Sequence, residues 1–376
     1  MNETWWVDPT QLDADQRRVL AARPETDLLI VGPPGSGKTN ILMLRANYVR
    51  SVAPRLLFLT FTRTLSEFLR AGPNVGRADQ IQPTEIITFM GWARRFLNER
   101  GAPLADEPAD FEESRQAHLR AIETVIDRDR VGRLYDVVII DEVQDFWNAE
   151  LQLLRRLTEH MNAAGDARQS IFTRNEGLRT MATICSETVQ LTRHYRIGRR
   201  ICDYADRILP PQPEDRPMIE GCNYDEAARP SSVVPVACAD LNGQYRACIE
   251  AIRQQVRYIT DEPILVVAHR RDVRNAFWAA LENDPDLVDR AMIQHQDAYQ
   301  AFGPDSLIRV MTIASAKGSE GRAVHILEAD RLGGKRELAF TAATRAKTEL
   351  RLYHSAPLPG HLTVPTGRLP SIDALF

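Results

Sequence analysis

Three short stretches in the first half of the chain are apolar at nearly every position: Leu28–Val31, Leu56–Thr60 and Val137–Ile140. A half-exposed strand alternates apolar and polar residues, so unbroken runs of this length read as strands covered on both faces. Helical spacing lies between them, as from Asn40 to Tyr48. Strand and helix in alternation are the pattern of a parallel α/β sheet. A second series follows beyond residue 190, with Ile264–Ala268, Leu307–Ile313 and Val324–Leu327 as its strands. The pattern predicts two α/β lobes with a boundary near 185–195. Leu209–Ser232, rich in proline and acidic residues, reads as a surface excursion near the start of the second.

Composition adds constraints. A chain of 376 residues is long enough for more than one core. Its net charge of −4 restricts any nucleic-acid surface to local stripes. Arg193/Arg196/Arg199/Arg200 and Arg270/Arg271/Arg274 are such spots, each readable as a phosphate contact or as a solvated face. The five cysteines show no C-x-x-C or C-x-x-H spacing, which argues for reduced, packed thiols and against a disulfide framework, a zinc site or an iron–sulfur site. The first residues lack a basic region followed by an apolar core, and no apolar run reaches membrane-span length. A cytoplasmic protein without membrane contact is expected. Trp5-Trp6 offers either a docking anchor or packing onto the first lobe.

The first apolar run leads into Gly32-Pro33-Pro34-Gly35-Ser36-Gly37-Lys38-Thr39, and a helical pattern follows. This is G-x-x-x-x-G-K-T between a strand and a helix, the context a phosphate loop requires. Its glycines let backbone N–H groups turn toward phosphates, and the helix N-terminus adds partial positive charge. Lys38 is expected to neutralise the β- and γ-phosphates of ATP, and Thr39 to ligate Mg²⁺. Asp141-Glu142 ends the third run. A carboxylate at the tip of a buried strand can hold the magnesium ion, which leaves its neighbour to polarise the attacking water. Asp141 is therefore the metal candidate and Glu142 the general base.

With these residues in place, the chain resembles the UvrD/Rep/PcrA-type superfamily 1A DNA helicases over nearly its whole length, because the motifs come in the family's order. Leu12–Gln16 resembles the adenine-reading Q motif, with Gln16 as its reader. Phe58–Arg63, through Thr60 and Phe61, and Thr88-Phe89 resemble segments that touch single-stranded DNA. Asp141-Glu142-Val143-Gln144-Asp145 matches D-E-x-Q-D, and Gly165–Ile171 resembles the sensor motif, with Gln169 feeling the γ-phosphate. Leu191–Arg196 resembles the family's N-Y-R element, where Tyr195 stacks on adenine and Arg196 reaches the γ-phosphate. Val310–Ile313, which includes Thr312, and Ala316–Gly321, with Gly318 at the nucleotide and Glu320 near the ribose, resemble motif V. Thr341–Lys347 resembles motif VI, with Arg345 as the arginine finger.

The resemblance implies two RecA-like P-loop NTPase lobes with parallel sheets and an ATP cleft between them. Lobe 1A spans 1–190, including a reduced 1B-like insertion at 98–133, and lobe 2A spans 191–376. Short connections stand where family members carry large 1B and 2B domains, so the expected form is compact. The strand-contact positions depart from the family's pattern. Met90 and Ala314 replace histidines, Arg174 stands at a base-stacking tryptophan, and Asn40 replaces the arginine after Lys-Thr. Base–aromatic stacking contributes roughly 1–3 kcal/mol per base, so the loss of the tryptophan weakens or alters the grip. Phe61, Phe89 and Phe172 are alternative platforms or core residues.

The resemblance implies a Mg²⁺-dependent ATP hydrolase that translocates on single-stranded DNA. Closure of the lobes on ATP brings Arg196 and Arg345 to the γ-phosphate, and hydrolysis releases them. The alternative is an ATP-gated subunit of a DNA repair or phage-defence complex, in which a nuclease or other effector supplies the grip. An RNA-directed motor or nucleotide switch is a third reading.

Overall fold

The computed structural model describes residues 6, 9–169, 171, 176–213, 215–294 and 306–364. The chain forms two compact units, Met1–Tyr195 and Arg196–Phe376. Each is built on a six-stranded sheet whose pairings are all parallel. The architecture is the expected α/β fold of two RecA-like lobes.

In the first unit the strands are β1 (Leu28–Val31), β2 (Leu56–Thr60), β3 (Ile86–Thr88), β4 (Tyr135–Ile140), β5 (Thr158–Gly165) and β6 (Glu187–Gln190), in the order β3-β2-β4-β5-β1-β6. The helices are α1 (Ala14–Ala21), α2 (Lys38–Arg50), α3 (Arg63–Arg70), α4 (Phe89–Glu99), α5 (Phe111–Asp129), α6 (Asn148–Leu157) and α7 (Gly177–Ile184). Two apolar clusters form the core. One holds Ile30, Phe58 and Ile139 with Ile41, Leu42 and Ala46 of α2. The other holds Leu59, Val138 and Ile140 with Trp92 and Phe96 of α4 and Leu151 and Leu154 of α6. The central strands therefore have apolar neighbours on both sides, which explains their unbroken apolar runs. Segment 98–133 contributes α5, whose Leu119, Ile122, Val125 and Ile126 join the second cluster.

Two features of this unit were hidden in the sequence. α6 ends at Leu157 and β5 begins at Thr158, so helix passes directly into strand. β5 also carries a fully buried asparagine, Asn162, whose side chain accepts from Arg45 Nε at 3.0 Å and donates to the Thr26 carbonyl at 3.2 Å. Arg45 itself is fully buried on α2 and also donates to the Ala22 and Arg23 carbonyls. At the start of the described chain, Trp6 stacks on Phe68 of α3 with centroids 5.7 Å apart, so it packs onto this unit.

The second unit contains β7 (Ser232–Ala237), β8 (Ile264–Ala268), β9 (Ala291–Ile293), β10 (Ile308–Thr312), β11 (Gly321–Leu327) and β12 (Ala346–His354), in the order β7-β12-β11-β8-β10-β9. Its helices are α8 (Arg199–Ile208), α9 (Met218–Gly221), α10 (Leu241–Gln255), α11 (Arg271–Leu281) and α12 (Arg336–Ala343). Short helix α9 interrupts the proline-rich stretch, and Met218 and Ser231 are buried within it. Among the described residues no helix is long and apolar enough to cross a membrane.

Candidate nucleotide site

The carboxyl ends of β1 and β4 carry the predicted phosphate loop and carboxylates of the first unit. Ligands in parallel α/β sheets bind at this edge of the strands. Gly35 and Gly37 lie at φ 75° and 83°, in the left-handed region where only glycine sits without strain. Gly37 caps α2, and Lys38 and Thr39 open that helix, with its dipole behind them. The Lys38 ammonium donates to the carbonyls of Gly32 at 2.8 Å and Pro33 at 2.9 Å. It therefore lies across the mouth of its own loop.

Gln16 and Tyr195 brace the same loop. Asp13 and Gln16 form a reciprocal cap on α1, and the Gln16 carboxamide donates to the Ser36 carbonyl at 3.0 Å. The backbone N–H of Tyr195 donates to the Gly35 carbonyl at 3.3 Å, and its phenol donates to Asp13 at 2.6 Å. Burial pushes the Tyr195 phenol up, and the bond to Asp13 adds to the shift. Asp15, one residue before Gln16, accepts from the Thr192 hydroxyl at 2.7 Å. Two motifs far apart in sequence thus fasten to each other and to the loop.

Asp141 is almost completely buried, at 1% exposure. One of its oxygens accepts from the Glu142 backbone at 2.9 Å, and the other, Oδ2, is buried without a hydrogen-bond partner. Burial pushes the carboxyl up to about 7 and the Glu142 charge adds to this, while the Thr39 hydroxyl and Lys38 pull the other way. A carboxylate in that state is costly unless a cation meets it. An oxygen-lined position between Thr39 and Asp141 suits a hard divalent cation, so these residues fit Mg²⁺. Glu142 follows at φ 53°, an uncommon conformation for a residue with a side chain.

From Glu142 a chain of hydrogen bonds runs to the sensor candidate. Gln144 donates its carboxamide N–H to Glu142, and its oxygen accepts from the Asp166 backbone at 3.1 Å. Asp166 in turn accepts from the Gln169 carboxamide at 2.9 Å. All three linking residues are buried. Sequence reading singled out Glu142 and Gln169 but not Gln144 and Asp166. The polar residues of D-E-x-Q-D were the available signal.

The nucleic-acid candidates of this unit divide by environment. Thr60 is buried and donates to the Thr62 carbonyl, and Thr88 caps α4 through the Gly91 N–H at 3.1 Å. Phe89 is 2% exposed between Trp92 and Phe146, so its ring is core and presents no face to a base. Phe61 is half-buried and packs edge-on against Phe111 and Phe146. Arg115 of α5 lies 5.0 Å from the Phe61 centroid and 4.2 Å from that of Trp147, pairs with buried Glu150, and donates to the Asp145 carbonyl at 3.1 Å. It joins the Phe61 segment to the loop after Asp141. Phe172 and Arg174 lie outside the described residues.

In the second unit Arg196 and Glu320 form an ion pair at 2.9 Å. Gly318, at φ 81°, turns the chain just before Glu320. Arg345 follows α12, is 4% exposed and donates from Nε to the Thr341 carbonyl at 3.1 Å, where the helix C-terminus favours its charge. Its own carbonyl accepts from the Gly321 N–H at 3.0 Å, which ties the predicted motifs V and VI together. Thr312 is occupied locally, donating to the Ser315 hydroxyl at 2.9 Å. Of the basic spots, Arg270 pairs with Glu328 and Arg274 donates to the Gln294 carbonyl at 2.7 Å, so both have structural partners.

Comparison with known families fits this geometry. An AAA domain model matches residues 16–174, and a UvrD-like helicase C-terminal domain model matches residues 307–353, so that together they span more than half of the chain. The chain is similar to the UvrD-like superfamily 1 helicases in these two segments. No curated protein matches the chain. Among solved structures, the PRRSV helicase is similar at 17% identity and a TM-score of 0.42, over 91% of this chain and 54% of that one. The chain thus spans about half the length of that structure. The AAA domain match covers the glycine loop and Asp141-Glu142, and the UvrD-like match covers Thr312, Glu320 and Arg345.

Proposed function

We propose that the protein hydrolyses ATP with Mg²⁺ and uses the cycle to move along single-stranded DNA. The buried, unpartnered Asp141 Oδ2 beside Thr39 and Lys38 carries this reading. Such a carboxylate, below a glycine loop at a helix N-terminus, suits a triphosphate bound with a cation. Thr39 and Asp141 would hold Mg²⁺, which supplies positive charge to the β- and γ-phosphate oxygens when bound. Lys38 moves from the Gly32 and Pro33 carbonyls to those oxygens, Glu142 takes the proton of the attacking water, and Gln169 orients that water. Arg196 and Arg345 supply the remaining positive charge as the γ-phosphate leaves, and the Arg196–Glu320 pair opens to release its guanidinium.

The test is an ATPase titration with single-stranded DNA, duplex DNA and RNA at two salt concentrations. Activation by single-stranded DNA that weakens with salt is expected. A rate unchanged by any single-stranded DNA would sink the translocase reading. Glu142→Gln is expected to keep ATP binding and to lower turnover about 10²–10⁴-fold. Wild-type turnover in that variant would remove Glu142 as the base. The core position of Phe89 favours one second reading, a partner protein that completes the strand grip. Its sign is ATPase activity that DNA raises only after the partner is added.

A further inference from the structure

Two of the five cysteines, distant in sequence and in no recognisable motif, meet in the second unit. Cys202 lies on α8 and Cys222 just after α9, with their sulfurs within 4.8 Å of each other and no disulfide between them. Both sulfurs lie 3.4 Å from the same acceptor, the Ile197 carbonyl, to which either thiol donates when its proton is turned that way. Cys202 is fully buried and Cys222 half-buried.

The two sulfurs differ in chemistry. A hydrogen bond from Cys202 draws the Cys222 thiol down to about 7 against the effect of burial, with the Tyr224 backbone and Arg199 assisting. Burial instead pushes Cys185 up to about 12 and raises Cys238 and Cys248. Cys222 is thus the lowered thiol among the five, and its thiolate is the nucleophilic form. An accessible thiolate with a second thiol behind it is the arrangement in which oxidation stops at a disulfide rather than running on to sulfinic acid.

We propose that Cys202 and Cys222 form a site of reversible two-electron oxidation by a peroxide, and that its oxidation resets the backbone carrying Arg196. Cys222 attacks one peroxide oxygen; an S–O bond forms, the O–O bond breaks, and the departing hydroxide takes a proton to become water. Cys202 sulfur then attacks Cys222 sulfur; the S–S bond forms, the S–O bond breaks, and the Cys202 proton leaves with the hydroxyl as a second water. Two thiols and one hydrogen peroxide thus give one disulfide and two waters. A disulfide needs its sulfurs about 2.05 Å apart and has no S–H, so α8 and the segment after α9 draw together and no thiol donor remains for the Ile197 carbonyl. Ile197 directly follows Arg196, whose ion pair with Glu320 depends on that backbone. The effect on turnover rests on the proposed role of Arg196, whereas the oxidation itself does not.

The full chain, freed of bound metal with a chelator, is treated with hydrogen peroxide, blocked with an alkylating reagent and mapped by peptide mass spectrometry. The expected product is a Cys202–Cys222 linked peptide, two hydrogens lighter than the reduced pair and restored by dithiothreitol. Irreversibly oxidised Cys222, or equal modification of Cys185 and Cys238, would overturn the proposal. ATP turnover is expected to fall on oxidation of the wild type and to persist in Cys222→Ser given the same treatment. Equal loss in both would overturn the link to Arg196. A reduced wild type without ATP turnover would instead overturn the proposed function, while peptide mapping still decides the oxidation.

Discussion

The carboxamide of Gln144 donates to Glu142 and accepts from the Asp166 backbone, so one side chain sets both the direction of the candidate base and the turn that carries Gln169. It touches no part of the phosphate loop through these bonds. Gln144→Leu keeps much of the volume and removes both bonds. Turnover is expected to fall about 10²-fold, the cost of small misplacements at a reacting centre, with nucleotide affinity little changed. A parallel loss of affinity in a fluorescent-nucleotide titration would show that Gln144 supports the loop instead. Arg345 gives the complementary case. Its Nε is held by the Thr341 carbonyl, and Arg345→Ala is expected to lower kcat far more than it raises KM, because in the proposed function its charge matters most as the γ-phosphate leaves.

At the level of elements, α5 is fastened to α6 by the buried Arg115–Glu150 pair and to the loop after Asp141 by the Arg115 bond to the Asp145 carbonyl. Removing one partner strands a buried charge, so Arg115→Met is expected to destabilise the chain by about 3–5 kcal/mol. The double variant Arg115→Met/Glu150→Leu should regain most of that loss in urea unfolding, and failure to regain it would show that contacts with Phe61 and Trp147 dominate. The same chemistry decides which strands sequence could reveal. β1 and β8 are apolar throughout and β2 up to its last residue, and all three were found with their observed bounds. β5 and β12 were not found, because each buries polar side chains whose partners are distant in sequence. Asn162 meets Arg45, and Lys347 meets Glu262 at 2.6 Å. The phosphate loop and Asp141-Glu142 were legible because their chemistry is local in sequence, whereas the Gln144–Asp166 and Cys202–Cys222 links exist only after folding.

At the scale of the whole molecule, two parallel sheets stand on separate cores, and the second holds a group that responds to acid. In the second unit His325 is fully buried on β11, within 2.9 Å of the Tyr353 phenol and 2.7 Å of Gln255 Oε1. Burial holds its imidazole down at about 3 from an ordinary 6.5. The unfolded chain therefore takes up this proton first as pH falls. The stability it contributes is complete above pH 6.5 and is lost progressively toward pH 3. Melting followed between pH 7.5 and 4.5 is expected to fall less steeply for His325→Gln than for the wild type, and equal slopes would assign the acid response elsewhere. In the first unit the sheet order has a metric consequence. β5 lies between β1 and β4, so the phosphate loop and Asp141 spring from strands two spacings apart, roughly 9.5 Å. Backbone ladders set that interval and side chains do not. Substitutions around the site can alter its charges, while the sheet keeps the gauge that any occupant has to span.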